Sequence, residues 1–263
     1  MLELHGAGGY RPPVPRAANG LWYERTGSGE PVVLLHAGVV DSRIWAPVVP
    51  ALAKRYDVVA YDQRAYGRSD GWDGPYSLVG DLTGLLDELG IARVSLVGLS
   101  RGGRIALDAA LTTPERVTRL ALVASGLPGH PLHVEATPEQ EARWEAAEER
   151  GDAAELAELD LEVWAPLGAD EELRAMFLEN AVASNGDDPA VEAEPPAATR
   201  LGEIRVPTLI VTADHDVPGI NEIGDVLERE IEGAQRLVIA KADHMVPWRS
   251  PDQLASALIA FLG

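Results

Sequence analysis

The sequence predicts an α/β fold, a doubly wound and mostly parallel sheet with an inserted helical cap. Short apolar, β-branched segments alternate along the chain with segments whose apolar residues recur at helical spacing. This alternation stops at Gly126 and resumes near Val206, and no convincing strand lies between them. We therefore expect a core of residues 1–126 and 203–263 and a helical cap of residues 127–202.

The core elements follow one another in the order that parallel sheets require. The predicted strands are Leu21–Arg25, Val32–His36, Asp57–Tyr61, Val94–Gly98, Thr118–Ala124, Thr208–Ala213 and Arg236–Ile239. The predicted helices are Ala46–Arg55, Ser77–Leu89, Arg101–Leu111, Ile220–Ile231 and Asp252–Leu262. Parallel strands need long crossover connections, so strands that alternate with helices indicate a parallel sheet with helices on both faces.

The segment predicted to form the cap carries helix signals of its own. The residues from Thr137 to Gln140 combine an N-cap, a proline at the first helical position and a capping box. Gly151 ends one helix and Asp152 caps the next. The residues Asn185–Pro196, rich in Asp, Pro, Glu and Ala, predict a linker back to the core.

Composition narrows the classes of function. The chain has 263 residues, no cysteine and a formal net charge of −20. Without cysteine there are no disulfides, thiolate metal sites or cysteine nucleophile, which leaves serine, threonine, lysine or a carboxylate for covalent chemistry. The negative charge disfavours nucleic acid and anionic membranes as partners. No secretory signal is visible between Met1 and Gly20, and no apolar run could span a bilayer, so we expect a cytoplasmic location.

One pentapeptide gives the clearest indication of a catalytic residue. Gly98-Leu99-Ser100-Arg101-Gly102 follows a predicted buried strand and opens a predicted helix. A strand that turns so sharply into a helix needs residues without side chains two positions before and two positions after the turn. The turn lifts the serine hydroxyl out of the sheet and aims the helix N-terminus at charge developing on a substrate oxygen. The motif predicts Ser100 as a nucleophile.

A serine nucleophile needs a histidine to take its proton and an acid to orient that histidine. His244 follows the last predicted strand, at the carboxyl edge of the sheet where the active sites of open α/β folds form. Asp214 and Asp216 both follow another strand, and either could orient the imidazole. The chain order Ser, Asp, His fits this kind of site.

These motifs resemble those of the lid-bearing α/β hydrolases, a family of esterases, enol-lactonases and carbon–carbon bond hydrolases. The family's His-Gly-x after a strand is similar to His36-Ala37-Gly38, and its Asp-x-Arg-Gly-x-Gly-x-Ser turn is similar to the segment Asp62–Ser69. Each has an alanine where the family has a glycine. The resemblance implies that the backbone N–H groups of Gly38 and Arg101 form the oxyanion hole, that Asp216 is the triad acid, and that His36 is structural.

The resemblance also implies that the inner face of the cap selects the substrate. The predicted substrate pocket comprises Ala37, Val39, Trp144, Trp164, Met176 and Met245, with Leu167 and Phe177 as further apolar candidates. No metal and no cofactor is expected, because the short His and Asp runs do not make a ligand set.

The implied activity is that of a serine hydrolase that cleaves an ester, lactone or similar small acyl substrate through an acyl-enzyme intermediate. A lyase or perhydrolase with the same triad, a ligand-binding receptor on this fold and a scaffold with a spoiled oxyanion hole remain alternatives. Residues 127–202 hold 19 Asp or Glu against 4 Arg, which favours neutral or cationic, moderately apolar substrates over anionic ones. The sequence does not indicate an oligomeric state.

Overall fold

A computed structural model describes residues 16–72, 74–184 and 194–263 of the protein. The strands are β1 (Tyr23–Gly27), β2 (Glu30–Leu35), β3 (Tyr56–Tyr61), β4 (Val94–Leu99), β5 (Val117–Val123), β6 (Thr208–Ala213) and β7 (Gln235–Ile239). They form one sheet in the order β1-β3-β2-β4-β5-β6-β7. β1 is antiparallel to β3, and the other neighbouring strands are parallel. The predicted fold class is confirmed.

The helices connect these strands and cover both faces of the sheet. They are α1 (Val49–Leu52), α2 (Leu78–Glu88), α3 (Arg101–Thr112), α4 (Pro138–Arg150), α5 (Ala153–Trp164), α6 (Glu171–Ser184), α7 (Pro218–Glu230), α8 (Val246–Arg249) and α9 (Pro251–Leu262). The predicted helix Ala46–Arg55 is wrong in extent, since the chain forms a 3-10 turn at Ser42–Trp45 and then only the short α1. Pro47 and Pro50 cannot donate backbone hydrogen bonds and therefore interrupt a longer helix.

Alternating side chains of each strand face two separate apolar cores. Val32 and Leu34 of β2 belong to one core, together with side chains of α1 and α9. Val33 and Leu35 belong to the other, together with side chains of α2, α3 and α7. This alternation follows from the two-residue period of a strand, and it makes the sheet doubly wound.

Helices α4, α5 and α6 form an insertion between β5 and β6. The Thr137 hydroxyl accepts from the Gln140 N–H, and the Gln140 side chain accepts in return from the Thr137 N–H, which confirms the predicted capping box. Gly151 is left-handed at φ +62°, and Asp152 caps α5. Division of the chain into core and cap domains stays a prediction.

Parts of two sequence predictions lie outside the described residues. They are most of the linker Asn185–Pro196 and the first fifteen positions of the segment Met1–Gly20. Across the residues that the structure describes, no helix combines the length and apolar character needed to cross a membrane.

Candidate active site

The predicted nucleophile occupies a sharp turn between β4 and α3. Ser100 has φ +52° and ψ −111°, a strained conformation for an L-residue of the kind found at functional turns. A Cβ atom at Gly98 would collide with the carbonyl oxygen of Gly102, and one at Gly102 would collide with that of Leu35. The close approach of β2, β4 and α3 therefore requires the two glycines of the motif.

Backbone hydrogen bonds hold this turn in place. The Ser100 N–H donates to the carbonyl of Val123 at 3.0 Å. The Ser100 carbonyl accepts from the N–H of Arg104 at 3.1 Å and from that of Gly126 at 3.2 Å. The hydroxyl consequently lies at the carboxyl edge of the sheet, beside the N-terminus of α3, whose partial positive charge favours anions.

A buried pair of His244 and Asp216 lies at the same edge. His244 Nδ1 is 2.9 Å from Asp216 Oδ2 and 3.0 Å from Oδ1, and the two side chains are 2% and 0% exposed. Asp216 also accepts from the N–H of Val217 at 2.8 Å. An ionised carboxylate can only accept, so the pairing places a proton on Nδ1 and leaves Nε2 of a neutral ring free to take another.

The rival carboxylate, Asp214, is not paired with His244. Its side chain is 40% exposed, lies 4.0 Å from His215 Nε2 and accepts from the N–H of Ala242 at 3.3 Å. The Asp214 side chain thus stabilises the loop before His244 from the solvent-exposed side.

Ser100 and His244 both line a cavity of about 660 Å³. Gly38 and Arg101, the predicted oxyanion-hole residues, line it as well. The structure therefore brings these four predicted residues to one cavity. Within the ranges that the structure describes, no hydrogen bond joins Ser100 Oγ to the imidazole of His244.

A buried hydrogen-bond network fixes the loop that follows β2. His36 Nε2 accepts from the N–H of Gln63 at 2.8 Å, and its Nδ1 lies 2.7 Å from the carbonyl of Ala37. Acceptance at Nε2 requires the proton on Nδ1, and burial lowers the pKa of His36, which keeps the ring neutral. The Gln63 amide donates to the carbonyl of His36 at 2.6 Å. His36 therefore holds the loop that leads to Gly38.

Gly38 and Arg101 are neighbours in space. A Cβ atom at Gly38 would lie 3.4 Å from Arg101 Cδ and 3.7 Å from the hydroxyl of Tyr66. Arg101 Nε donates to Gln63 Oε1 at 3.0 Å, and the guanidinium carbon is 5.5 Å from the centre of the Tyr66 ring. The network around His36 thus extends to the side chain that follows the predicted nucleophile.

The cavity has two sides of different origin. Its floor comes from the core and comprises Gly38, Val39, Tyr66, Ser100, Arg101, Arg104, Gly126 and His244. Its roof comes from the insertion and comprises Leu132, Val134, Ala136, Trp144, Asp160, Val163 and Trp164. Trp164 packs over the imidazole of His244, with the ring centres 4.6 Å apart.

The predicted substrate pocket is brought together only in part. Val39, Trp144 and Trp164 line the cavity, whereas Ala37, Met176 and Met245 are fully buried in the apolar core and do not line it. Of the two further candidates, Phe177 is buried in the same core and Leu167 is 45% exposed. Helical spacing identifies an apolar face, but it does not indicate whether that face meets a core or a cavity.

Three polar cavity residues were not predicted. Asp160 is a buried carboxylate of α5, and its position one turn after Leu156 on the apolar side of the helix is a signal that the sequence contains. Arg104 follows Ser100 by one turn of α3. Tyr66 lies inside the Asp62–Ser69 turn, whose motif resembles the family's turn but indicates no role for the tyrosine.

Polar contacts fasten the insertion to the core near both ends of α6. Near the start of α6, the carboxylate of Asp243, next to His244, accepts from the N–H of Leu167 at 3.2 Å and from Arg249 at 2.9 Å. Arg249 also donates to the carbonyl of Gly168. The loop before α6 is thereby tied to the loop that carries His244.

Asn180 makes the attachment near the other end of α6. It is 1% exposed, its Nδ2 donates to Asp41 Oδ2 at 3.1 Å, and its Oδ1 accepts from the N–H of Gly67 at 2.9 Å. Burial alone would raise the pKa of Asp41, but hydrogen bonds from Arg43 and Asn180 hold it below its usual value. The Tyr66 hydroxyl adds a hydrogen bond to the carbonyl of Ala183 at 3.1 Å.

In the described part of the chain, no group of three or more His, Asp or Glu side chains is arranged to hold a metal ion.

Comparison with known proteins places the chain among hydrolases. The family described as alpha/beta hydrolase fold matches residues 30–251. The 2-hydroxy-6-oxononadienedioate/2-hydroxy-6-oxononatrienedioate hydrolase of Paraburkholderia phymatum is 31% identical over 262 residues, which cover 92% of this chain and 90% of that protein. The enol-lactonase of Burkholderia xenovorans LB400 has a similar structure, with a TM-score of 0.77, 28% identity and coverage of 94% and 99%. A thermophilic esterase of Thermogutta terrifontis gives a TM-score of 0.76 and 25% identity, with 92% of both chains covered.

Proposed function

Because the chain belongs to the α/β hydrolase fold family, we propose that it is a serine hydrolase that cleaves an ester, lactone or similar acyl substrate through an acyl-enzyme intermediate. The observation that carries this proposal is the buried His244–Asp216 pair, which opens onto the same cavity as the strained Ser100 turn. A histidine oriented by a buried carboxylate, on the same cavity as a serine at a strand–helix turn, is the arrangement that acyl transfer requires.

In the first half of the reaction, Ser100 Oγ attacks the substrate carbonyl carbon while His244 Nε2 takes the hydroxyl proton. Asp216 stabilises the imidazolium that forms. The carbonyl oxygen becomes an oxyanion, which the backbone N–H groups of Gly38 and Arg101 stabilise beside the N-terminus of α3. The bond to the leaving oxygen then breaks, His244 returns the proton to that oxygen, and an alcohol leaves the acylated serine.

In the second half, water takes the place of the alcohol. His244 removes a proton from the water as its oxygen attacks the acyl carbon, and the collapse of the second oxyanion returns the proton to Ser100 and releases the acid. Lactones react by the same steps, except that the leaving hydroxyl stays attached to the acyl chain.

The substrate is a small molecule in this proposal. A cavity of about 660 Å³ is within the size range of small-molecule sites, and its roof supplies two tryptophans, two valines, a leucine and an alanine. The similar proteins are named as an enol-lactonase, an esterase and a hydrolase of an oxononadienedioate, so each is named for the hydrolysis of a compound that contains a carbonyl group. The insertion acts as the cap in this proposal, and the cytoplasmic location stays a prediction from the sequence.

The test is turnover of 4-nitrophenyl valerate, a neutral ester, by the parent protein and by Ser100→Ala. We expect kcat/KM to fall by about 10⁴-fold or more, because the nucleophile, the histidine and the acid act together and the loss of the nucleophile removes the effect of all three. Ser256→Ala, at an exposed position of α9, is the matched control and should retain parental activity. Parental turnover by a folded Ser100→Ala protein would overturn the proposal and favour a receptor or a different chemistry.

A further inference from the structure

We infer that the side chain of Arg101 binds a carboxylate carried by the acyl substrate, so that the preferred substrate is anionic. This inference rests on the proposed function and names its substrate class. It assigns to Arg101 a role that is separate from the backbone N–H of the same residue.

The first observation is where the guanidinium lies. Arg101 directly follows Ser100, lines the cavity floor and packs against Gly38. A group held by this side chain is therefore close to the reacting carbonyl. A short acyl chain that ends in a carboxylate could place one end at Ser100 and the other at Arg101.

The second observation is that no carboxylate of the described residues pairs with this guanidinium. Most arginines that the structure describes lie within 4.0 Å of an acidic side chain, as Arg43 does with Asp41 and Arg64 with Asp81. Arg101 makes no such pair, and its one hydrogen bond to a described residue joins Nε to the neutral amide of Gln63. Its two terminal nitrogens have no hydrogen-bond partner among those residues. Planar guanidinium groups bind carboxylates through two parallel hydrogen bonds, so these nitrogens fit such a ligand.

The third observation is that neighbouring side chains of the protein hold the guanidinium in place. Gln63 is fixed by two hydrogen bonds to His36, at 2.8 Å and 2.6 Å, and it in turn fixes Nε of Arg101. The ring of Tyr66 supports the guanidinium from one side. A pre-positioned cation loses little conformational entropy when an anion binds to it.

Local charge therefore opposes the expectation drawn from total charge. Among the described residues that line the cavity, arginines outnumber carboxylates by two, Arg101 and Arg104, to one, Asp160, in a protein of net charge −20. On the outer side of the insertion, acidic groups are exposed and paired, as in Arg174 with Glu158 and Arg143 with Glu162. Charges beyond about 8 Å are largely screened at physiological salt. The groups that line the cavity therefore determine which substrate charge the site prefers.

The test compares two esters of similar length, 4-nitrophenyl hemiglutarate, which carries a carboxylate, and neutral 4-nitrophenyl valerate. We expect the parent protein to show the higher kcat/KM with the hemiglutarate. Arg101→Gln should lower the ratio of the two kcat/KM values by about 10- to 100-fold, the usual effect of a lost charge-assisted hydrogen bond. Arg101→Lys should keep part of the ratio, because the charge remains.

Arg93→Gln is the matched control, because it removes the same charge from the opposite end of β4 and should leave the ratio unchanged. A ratio that is equal in Arg101→Gln and in the parent, or a parent that prefers valerate, would overturn the inference. The proposed function would stand in both cases if valerate turnover still depended on Ser100.

Binding without turnover provides a second, independent measurement. Glutarate should raise the thermal unfolding temperature of the parent and of Arg93→Gln but not that of Arg101→Gln. Equal stabilisation of all three proteins, or of none, would overturn the inference even if neither ester were hydrolysed. Circular dichroism of each variant confirms that it is folded.

Discussion

The floor and the roof of the cavity are built differently. The floor lies on loops at the carboxyl ends of parallel strands, where neighbouring backbones fix each position, as the hydrogen bond from Ser100 N–H to Val123 shows. The roof lies on α4, α5 and the segment before them, and the insertion meets the core through buried apolar side chains such as Met176 and through polar side chains such as Asp243 and Asn180. We infer that the floor provides the reacting groups and the carboxylate-binding Arg101, and that the roof shapes the apolar part of the site.

Substitutions should therefore have different effects on the two sides. A change in the floor alters reacting groups or close backbone contacts, and its effect should be large and specific. A change in the insertion should alter stability or substrate choice by a smaller amount. We predict four effects in decreasing order of size, of which the first two concern the floor, the third concerns the attachment of the insertion, and the last concerns a buried carboxylate of α3.

Asp216→Asn should lower kcat for 4-nitrophenyl valerate by about 10³- to 10⁴-fold, because an amide favours the wrong tautomer of the histidine. Asp214→Asn is the matched control and should have little effect, since the Asp214 side chain is 40% exposed and an asparagine oxygen can still accept from the N–H of Ala242. A larger loss in Asp214→Asn than in Asp216→Asn would show that the wrong carboxylate has been paired with His244.

Gly102→Ala should lower the free energy of unfolding by about 3 kcal/mol or more, because its Cβ would collide with the backbone carbonyl of Leu35, which cannot move alone. Gly71→Ala has no atom within 4 Å of the added carbon and should change stability by less than about 0.5 kcal/mol. Urea unfolding of both variants measures the difference. Equal free energies of unfolding for the two variants would mean that the turn leaves room for a side chain at position 102.

Asn180→Leu should destabilise the protein by about 1–3 kcal/mol, because the N–H of Gly67 and the buried carboxylate of Asp41 each lose a partner. Arg174→Gln breaks a pair with Glu158 in which both side chains are 49% exposed, and it should have an effect well below 1 kcal/mol. Thermal unfolding compares the two. A larger loss of stability in Arg174→Gln than in Asn180→Leu would contradict the role assigned to Asn180 in attaching the insertion to the core.

Asp108→Asn should change the pH dependence of stability. Asp108 lies on α3, and its Oδ1 is buried without a hydrogen-bond partner among the described residues. Burial, reinforced by the negative charge of Glu194, raises its pKa to about 7, whereas in the unfolded chain it is about 3.9. The folded state thus binds the proton more tightly, so stability falls as pH rises from about 4 to about 7 and is then level.

Asparagine has no proton to lose. The Asp108→Asn protein should therefore unfold about 2–4 °C higher than the parent at pH 8, with no such gain at pH 4. The same difference in unfolding temperature at both pH values would contradict the assigned cause.

Much of the floor was predictable, because its geometry restricts the residue type. A strand–helix turn as tight as the one at Ser100 requires glycine at positions 98 and 102, and parallel connectivity places His244 at the same edge. The fold class followed from the alternation of strands and helices for the same reason. Helix starts in the insertion were also local features, fixed by the capping residues.

The roof and the paired charges were less predictable, because they depend on how separate elements meet. The apolar residues Met176 and Met245 were expected in the pocket, but tertiary packing directs them into the core. Nothing in the local sequence distinguishes Arg101, which has no described carboxylate partner, from Arg43, which is paired with Asp41. Only the folded structure shows which arginine side chains line the cavity.

We propose that the hydroxyl of Ser100 becomes covalently bound to the acyl group during catalysis. Reaction with a fluorophosphonate probe, followed by mass spectrometry of the peptides, tests it most directly. We predict one equivalent of adduct, on the peptide that contains Ser100, formed much more slowly in Asp216→Asn. Absence of labelling of the folded parent protein, or an adduct on a different residue, would show that Ser100 is not the nucleophile.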